Sequence, residues 1–228
     1  PKAVGRLDSA GYGPAMGGPT PDRARQSLHR EVRAAREHTD ALFRLVATET
    51  LYDRPVPDRH RLIFYIGHLD AFDWNQLGRG VLELLSFDPT FDRLFEAGID
   101  PAPGQAAADQ PSDWPALDAV LRYVERTRRE LDERWDELPV ERILTALEHR
   151  WMHAETVCYL LHQIEPGKKR SPDPPPGASA EPGGSARRPP PWVAVPAGSA
   201  TLGQAPDEFG WDNEFPQYRS EVEDFEIA

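Results

Sequence analysis

Residues 165–191 cannot contribute to a hydrophobic core, and this constrains the fold more than any other feature of the sequence. About a third of these residues are proline, and most of the others are Gly, Ala, Ser or charged. Such a segment buries too little apolar surface to offset the entropy lost on ordering. We therefore predict a linker here, between folded regions at residues 21–164 and 192–228. Residues 1–20 are rich in Gly, Pro and Ala without apolar periodicity and are predicted to be a disordered tail.

The N-terminal region repeats apolar side chains with the spacing of amphipathic α-helices. The predicted helices cover about residues 21–48, 61–85, 115–137 and 139–164. The last of them is apolar nearly all round, so we expect it to be the most buried helix. Residues 87–115 contain Asp-Pro pairs and a Gly/Ala/Gln-rich patch, which predict a long irregular loop. The pattern favours a mainly α fold built on a four-helix bundle.

Composition argues against several classes of partner. The formal net charge of −12 and the pI near 5.0 disfavour nucleic acid and anionic membrane surfaces, because both reward Lys and Arg. No run of about 18 apolar residues predicts a membrane span. Cys158 is the single cysteine, which excludes an intrachain disulfide. Because Val157 and Leu160 are its neighbours, we expect a buried thiol in a reducing, cytoplasmic setting.

Residues 192–228 have the features of β-structure. Residues Trp192–Gly203 resemble a short hairpin, and residues Tyr218–Ile227 resemble a strand. So few strands are not stable by themselves. Because the chain does not begin with Met and ends directly after this strand, we expect a fragment or a cleaved product with an incomplete second domain.

The last predicted helix contains two histidines at metal-ligand spacing. His149 and His153 are four residues apart, so they project from the helix about 40° from each other, one turn apart. Neutral imidazoles bind zinc, iron, copper or nickel, although a pair of core histidines would show the same spacing. Glu155 projects about 160° away from this face, which favours an orienting or inter-helix role. His162 projects from the opposite side and is not expected to join the same metal.

A third histidine lies on the second predicted helix. His68 shares its helix face with Phe64, Phe72, Asn75 and Arg79, which lie within about 40° of it. Aromatic neighbours are typical of a core histidine. A bundle, however, brings the second and fourth helices into contact, so His68 can supply the imidazole that the pair lacks. Phe64, Asn75 and Arg79 are then candidates for lining the pocket.

The order of these motifs resembles that of the ergothioneine and ovothiol sulfoxide synthase family, including its selenoneine synthase branch. Members join a DinB-like four-helix bundle to a domain similar to the formylglycine-generating enzyme, which has a C-type-lectin-like α+β fold. The resemblance is carried by the segment Leu62–His68, the motif His149–Glu155, and the segments Val195–Gly198 and Phe209–Glu214. It covers nearly all of residues 21–228, and the three motifs occur in the family's order on both sides of a linker.

This resemblance implies a non-haem Fe(II) enzyme that uses O2. It implies that His68, His149 and His153 hold the iron and leave positions for a thiol or selenium donor and for dioxygen. The implied reaction forms a carbon–sulfur or carbon–selenium bond on the imidazole ring of hercynine or histidine. The family's substrate pocket draws on residues beyond Ala228, so no catalytic acid can be assigned in this sequence.

Two other interpretations fit the same residues. DinB-like bundles also include metal-dependent thiol transferases and hydrolases with three similarly arranged histidines, although those proteins are commonly bundles alone. A non-catalytic bundle with core histidines is the second alternative. Stoichiometric iron, zinc or no metal in the purified protein would distinguish the three.

Overall fold

The computed structural model describes residues 21–99, 107–170, 192–206 and 209–227. The chain divides into two compact units, with the boundary between residues 171 and 172. The predicted tail and most of the predicted linker lie outside the described residues. Within the described part, no helix is both long and apolar enough to cross a membrane.

The first unit is helical, as predicted. Its α-helices are α1 (Pro21–Phe43), α2 (Leu62–Asp73), α3 (Pro89–Ala97), α4 (Leu117–Asp132) and α5 (Val140–His162). The long helices α1, α2, α4 and α5 form the bundle, in which α2 packs against α3, α4 and α5, and α1 packs mainly against α5. Helix α2 is therefore surrounded by other helices, and all of its residues except His68 and Phe72 are buried.

The prediction that the last helix is the most buried is wrong. Helix α5 exposes Trp151 and Met152, whose side chains are 40% and 50% accessible. Cys158, expected to be buried, is also exposed. The reason is position in the bundle, because α5 packs against α1 and α2 and leaves its remaining surface to solvent. A nearly continuous apolar sequence therefore did not identify the central helix.

Residues 87–115 are not one irregular loop, because α3 lies within them. The Asp88 side chain accepts a hydrogen bond from the Phe91 amide (3.0 Å) and caps this helix, and Pro89 occupies its first turn. Gly98, with a φ of 78°, ends it. The Asp-Pro pair that predicted a loop is thus a helix start. Phe95 is the fully buried anchor of α3 in the bundle.

Three helix ends also differ from the prediction, because α4 ends at Asp132, five residues before its predicted end, and α1 and α2 also end early. Helix α1 ends at Phe43 because the next residues turn towards an extended segment, in which Val46 forms a β-bridge with Lys169. A short 3-10 helix, Thr48–Tyr52, follows. The α-helical part of α2 ends at Asp73 and continues as one wider π-helical stretch, Trp74–Arg79.

The second unit is an antiparallel β-ribbon. Its strands are β1 (Val193–Val195), β2 (Gly198–Leu202), β3 (Tyr218–Val222) and β4 (Phe225–Ile227), with β1 paired to β4 and β2 to β3. The predicted hairpin over residues 192–203 is therefore wrong, and the predicted strand over 218–227 is split in two. Val195 pairs with Phe225 and Gly198 pairs with Val222, so the two strand pairs share one continuous register. The pairing is interrupted at Pro196, which lacks a backbone donor and lies opposite Asp224.

Candidate metal centre

Three histidines converge between α2 and α5. One ring nitrogen of each of His68, His149 and His153 lies within 4.8 Å of the other two. The Nε2 atoms of His68 and His153 are 3.1 Å apart. Among the residues that the structure describes, these three imidazoles form the cluster with metal-ligand spacing, and no carboxylate or thiol belongs to it. The four-residue spacing on α5 sets two of the rings, and helix packing brings the third.

Helix α3 orients the His68 ring. The Nδ1 atom of His68 lies 2.7 Å from the carbonyl oxygen of Phe95. Because a carbonyl oxygen can only accept, Nδ1 carries the proton and Nε2 keeps the lone pair that a metal requires. Such a backbone acceptor behind a ligating imidazole is common in metal sites. Gly67 allows this approach, since a Cβ atom there would collide with the Phe95 ring.

Aromatic rings fix the planes of the imidazoles. Phe64 stacks on His68 with ring centroids 4.6 Å apart, and Phe72 stacks on His149 at 3.6 Å. The Tyr65 ring lies beside His153, with a centroid distance of 5.6 Å. Such stacking restricts rotation of the imidazole rings. The pocket role predicted for Phe64 stays a prediction.

Burial keeps the histidines neutral. Burial and the neighbouring imidazoles lower the pKa of His149 to about 2, and burial together with His68 lowers the pKa of His153 to about 4. Burial also lowers the pKa of His68, although the hydrogen bond to Phe95 opposes this effect. At neutral pH all three rings are therefore in the form that binds metal ions.

The composition of the cluster fits a metal-ligand set. The Nδ1 atoms of His149 and His153 are buried without a hydrogen-bond partner among the described residues. Three neutral imidazoles with no acid beside them suit a borderline divalent cation such as Fe(II) or Zn(II) and leave coordination positions open.

A buried ion cluster lies next to the histidines and was not predicted from the sequence. Arg150 donates to Asp73 (2.8 Å) and lies 3.3 Å from Asp70, and Arg128 donates to Asp70 (2.9 Å) and to Asp40 (2.7 Å). Burial opposes ionisation of Asp70, but Arg150 and Arg128 together hold its pKa well below its usual range. The signal in the sequence was the presence of charged residues inside otherwise apolar helical stretches.

A second ionic anchor holds the segment before α4. The buried Asp109 side chain accepts hydrogen bonds from Trp114 Nε1 (2.7 Å), from Arg61 Nε (2.8 Å) and from Arg54. Arg61 immediately precedes α2, so this carboxylate ties the segment to the start of the central helix. Nothing in the sequence pattern singled out Asp109.

The other predicted pocket residues lie elsewhere. Asn75 and Arg79 are in the π-helical stretch, where Asn75 Nδ2 contacts the Asp92 carbonyl oxygen (3.4 Å) and Arg79 Nη1 lies 3.8 Å from the Asp92 carboxylate. They thus connect α2 to α3. Glu155 is exposed and lines a surface concavity with His38 and other residues of α5. The pocket role predicted for Asn75, Arg79 and Glu155 stays a prediction.

Sequence comparisons agree with this architecture. Residues 31–163 match the DinB superfamily. The chain is 30% identical over 204 residues to Ergothioneine biosynthesis protein 1 of Neurospora crassa. This alignment covers 80% of this chain and 23% of the relative. It is 28% identical over 223 residues to Ergothioneine biosynthesis protein 1 of Schizosaccharomyces pombe, covering 81% of this chain and 29% of the relative.

The chain thus spans between a fifth and a third of the length of these curated relatives. The family match covers the helical unit, from the middle of α1 to the end of α5, and includes all three converging histidines. The resemblance to ergothioneine synthases that the motifs predicted is confirmed, and the chain belongs to the DinB superfamily.

Proposed function

We propose that this chain carries the metal-binding part of a cytoplasmic, non-haem Fe(II)- and O2-dependent enzyme of ergothioneine-type biosynthesis. The proposed reaction forms a carbon–sulfur bond, or a carbon–selenium bond in the selenoneine branch, on the imidazole ring of hercynine or histidine. The observation that carries the proposal is the convergence of three neutral imidazoles in a DinB bundle similar to proteins named for ergothioneine biosynthesis.

The described residues support this chemistry by how they hold a ligand set. His68, His149 and His153 would hold the Fe(II), which when bound would supply dioxygen activation and a site for the sulfur or selenium donor. The Phe95 carbonyl keeps the His68 proton on Nδ1 and so directs Nε2 towards the other rings. Phe64 and Phe72 stack on the imidazoles of His68 and His149 and restrict their rotation.

The open coordination positions matter for the proposed reaction. Three protein nitrogens leave room for both a donor and dioxygen, so the reacting groups would be held in one coordination sphere. The absence of a carboxylate from the cluster within the described residues leaves the site with the full charge of the cation. This charge favours binding of a thiolate or selenolate over a neutral donor.

A paired substitution tests the proposal in the complete protein. His153→Ala should abolish stoichiometric binding of anaerobically added Fe(II) and all product formation, because two imidazoles hold a labile ion far less well than three. His162→Ala is the matched control, since this side chain at the end of α5 is exposed and should leave iron binding unchanged.

Product formation is then followed by mass spectrometry with hercynine or histidine and a thiol or selenium donor. Equal iron loss in both variants would contradict the assigned ligand set. Stoichiometric metal without a sulfur- or selenium-bearing imidazole from any donor would instead favour a DinB-like thiol transferase or hydrolase.

A further inference from the structure

The turn that precedes α2 is fixed next to the histidine cluster. The backbone amide of Arg59 donates to the Val56 carbonyl oxygen (3.1 Å), and the Arg59 carbonyl oxygen accepts from Arg54 Nη1 (2.6 Å). The ring of the following residue, His60, packs on Phe64 with a centroid distance of 4.2 Å. Because Phe64 also stacks on His68, the turn and the cluster are parts of one packed layer.

Tyr65 connects this turn to a second histidine of the cluster. Its ring lies beside His153, and the His60 backbone near its hydroxyl group opposes the rise in the pKa of Tyr65 that burial causes. Tyr65 is 3% exposed, so this connection is buried. The turn is therefore held from two sides, through Phe64 to His68 and through Tyr65 to His153.

Arg59 extends a cation from this turn towards α5. Its guanidinium carbon lies 5.8 Å from the centre of the Tyr159 ring, which stands on α5 six residues after His153. Arg59 and Tyr159 are both exposed, and the guanidinium forms no salt bridge with a carboxylate among the described residues. Most other arginines near α2, such as Arg54, Arg61 and Arg128, are occupied by buried acids.

The electrostatic effect of this cation reaches the cluster. After burial and His68, Arg59 is the next cause that lowers the pKa of His153. It also opposes the rise in the pKa of Tyr65 that burial causes. The net charge of the chain is −12, so a cation without a described acidic partner at this point is a local feature and not part of a basic surface.

We propose that Arg59, supported by the ring of Tyr159, binds the carboxylate of the imidazole amino acid substrate at the edge of the metal centre. This assignment rests on the proposed function, which it deepens by naming the group that recognises the substrate. A guanidinium offers two parallel donors that match a carboxylate, and an aromatic face beneath it limits its motion. An imidazole amino acid held in this way would have its carboxylate on Arg59 and its ring directed towards the histidines.

The test measures binding to the complete protein, loaded anaerobically with Fe(II), by calorimetry in the absence of O2. Hercynine is compared with its carboxamide, which keeps the imidazole and the trimethylammonium group but lacks the charge that Arg59 would bind. Arg59→Gln should weaken hercynine binding by about tenfold or more and leave carboxamide binding unchanged, since charge-assisted hydrogen bonds are stronger than neutral ones. Arg59→Lys should restore only part of the affinity, because an ammonium lacks the planar fork.

Three controls separate the explanations. Arg33→Gln removes another exposed arginine, from α1, and should change neither affinity. Iron stoichiometry should be unchanged in every variant, because Arg59 is not in the ligand set. The affinity for an anionic thiol donor is measured in parallel, because this donor is a second ligand with a carboxylate that Arg59 could bind.

Each outcome decides a different point. Equal weakening of hercynine and its carboxamide, or no weakening, would overturn the role of Arg59. Weakening of donor binding alone would overturn the assignment to the imidazole amino acid. If neither hercynine nor histidine binds the iron-loaded wild-type protein, the proposed function itself fails, whereas retained hercynine binding in Arg59→Gln contradicts only this inference.

Discussion

Replacing Arg150 by Met should cost the helical unit a large part of its stability. The Arg150 side chain is almost fully buried and donates to Asp73 Oδ2 at 2.8 Å, with Asp70 Oδ1 at 3.3 Å. Methionine preserves most of the chain length and removes the charge. Asp70 keeps its hydrogen bonds to Arg128, so Asp73 is the carboxylate that loses its ionic partner.

The expected magnitude follows from what Asp73 can do without Arg150. Leaving one member of a buried ion pair without its partner typically costs about 3–5 kcal/mol. The loss has an upper limit, because Asp73 can instead take up a proton. At pH 7 this costs about 4 kcal/mol for a carboxyl group with an ordinary pKa near 3.9, at about 1.4 kcal/mol per pH unit. We therefore expect a loss of about 3–4 kcal/mol, against a typical total stability of about 5–15 kcal/mol.

The pH dependence distinguishes an ionic cause from lost packing. Burial already raises the pKa of Asp73, and Arg150 opposes that rise, so removing Arg150 raises the pKa further. The unfolded chain keeps the ordinary pKa. At pH 4.5, protonating Asp73 in the folded variant costs only about 1 kcal/mol. The difference in unfolding free energy between the variant and the wild-type protein should therefore shrink as the pH falls.

Urea unfolding followed by circular dichroism at pH 7.0 and 4.5 measures both values. Arg122→Met is the matched control, because Arg122 pairs with Asp118 on the exposed face of α4 and should have no measurable effect. A loss below about 1 kcal/mol at pH 7 would show that the Arg150 cluster is not a significant stabilising element. A loss of equal size at both pH values would assign the effect to packing instead of charge.

Two further predictions concern the histidine cluster. Gly67→Ala should destabilise the protein by about 1–3 kcal/mol, because the new Cβ atom meets the ring of Phe95. It should also weaken iron binding, because the Phe95 carbonyl orients His68. An unchanged urea midpoint and an unchanged iron affinity would contradict this prediction. The metal-free protein should lose stability as the pH falls from about 6.5 towards 4, because the unfolded chain takes up protons that His149, with its pKa lowered to about 2, does not bind in the folded state. Thermal melts of the metal-free protein at pH 7 and 5 measure this, and equal Tm values would refute it.

Much of the architecture could be predicted because it depends on local periodicity. The four long helices follow from their apolar repeats, and their predicted starts lie within about two residues of the observed ones. The rotation between His149 and His153 is a property of any regular helix, and the approach of His68 follows from bundle packing. That these side chains bind iron remains a prediction.

The missed features depend on contacts between distant residues. Helix α3 is short, and its Asp-Pro start has the same residues as a turn. Only the burial of Phe95 distinguishes a helix from a loop at this position. No sequence pattern reveals that the Phe95 carbonyl faces His68. The β-ribbon was paired incorrectly for a similar reason, because β1 and β2 are adjacent in the chain but pair with β4 and β3.

The ion cluster and the histidine cluster use different faces of the same two helices. On α2, Asp70 follows His68 by two residues, a rotation of about 200°, and on α5 Arg150 follows His149 by one residue, a rotation of about 100°. A shift of either helix by one residue would therefore separate Arg150 from Asp70 and would also turn a histidine away from the centre. Because burying an unpaired charge is costly, the contact between Arg150 and Asp70 penalises that shift. We therefore expect the ionic contact on one face to favour the helix register on which the convergence of the imidazoles on the other face depends.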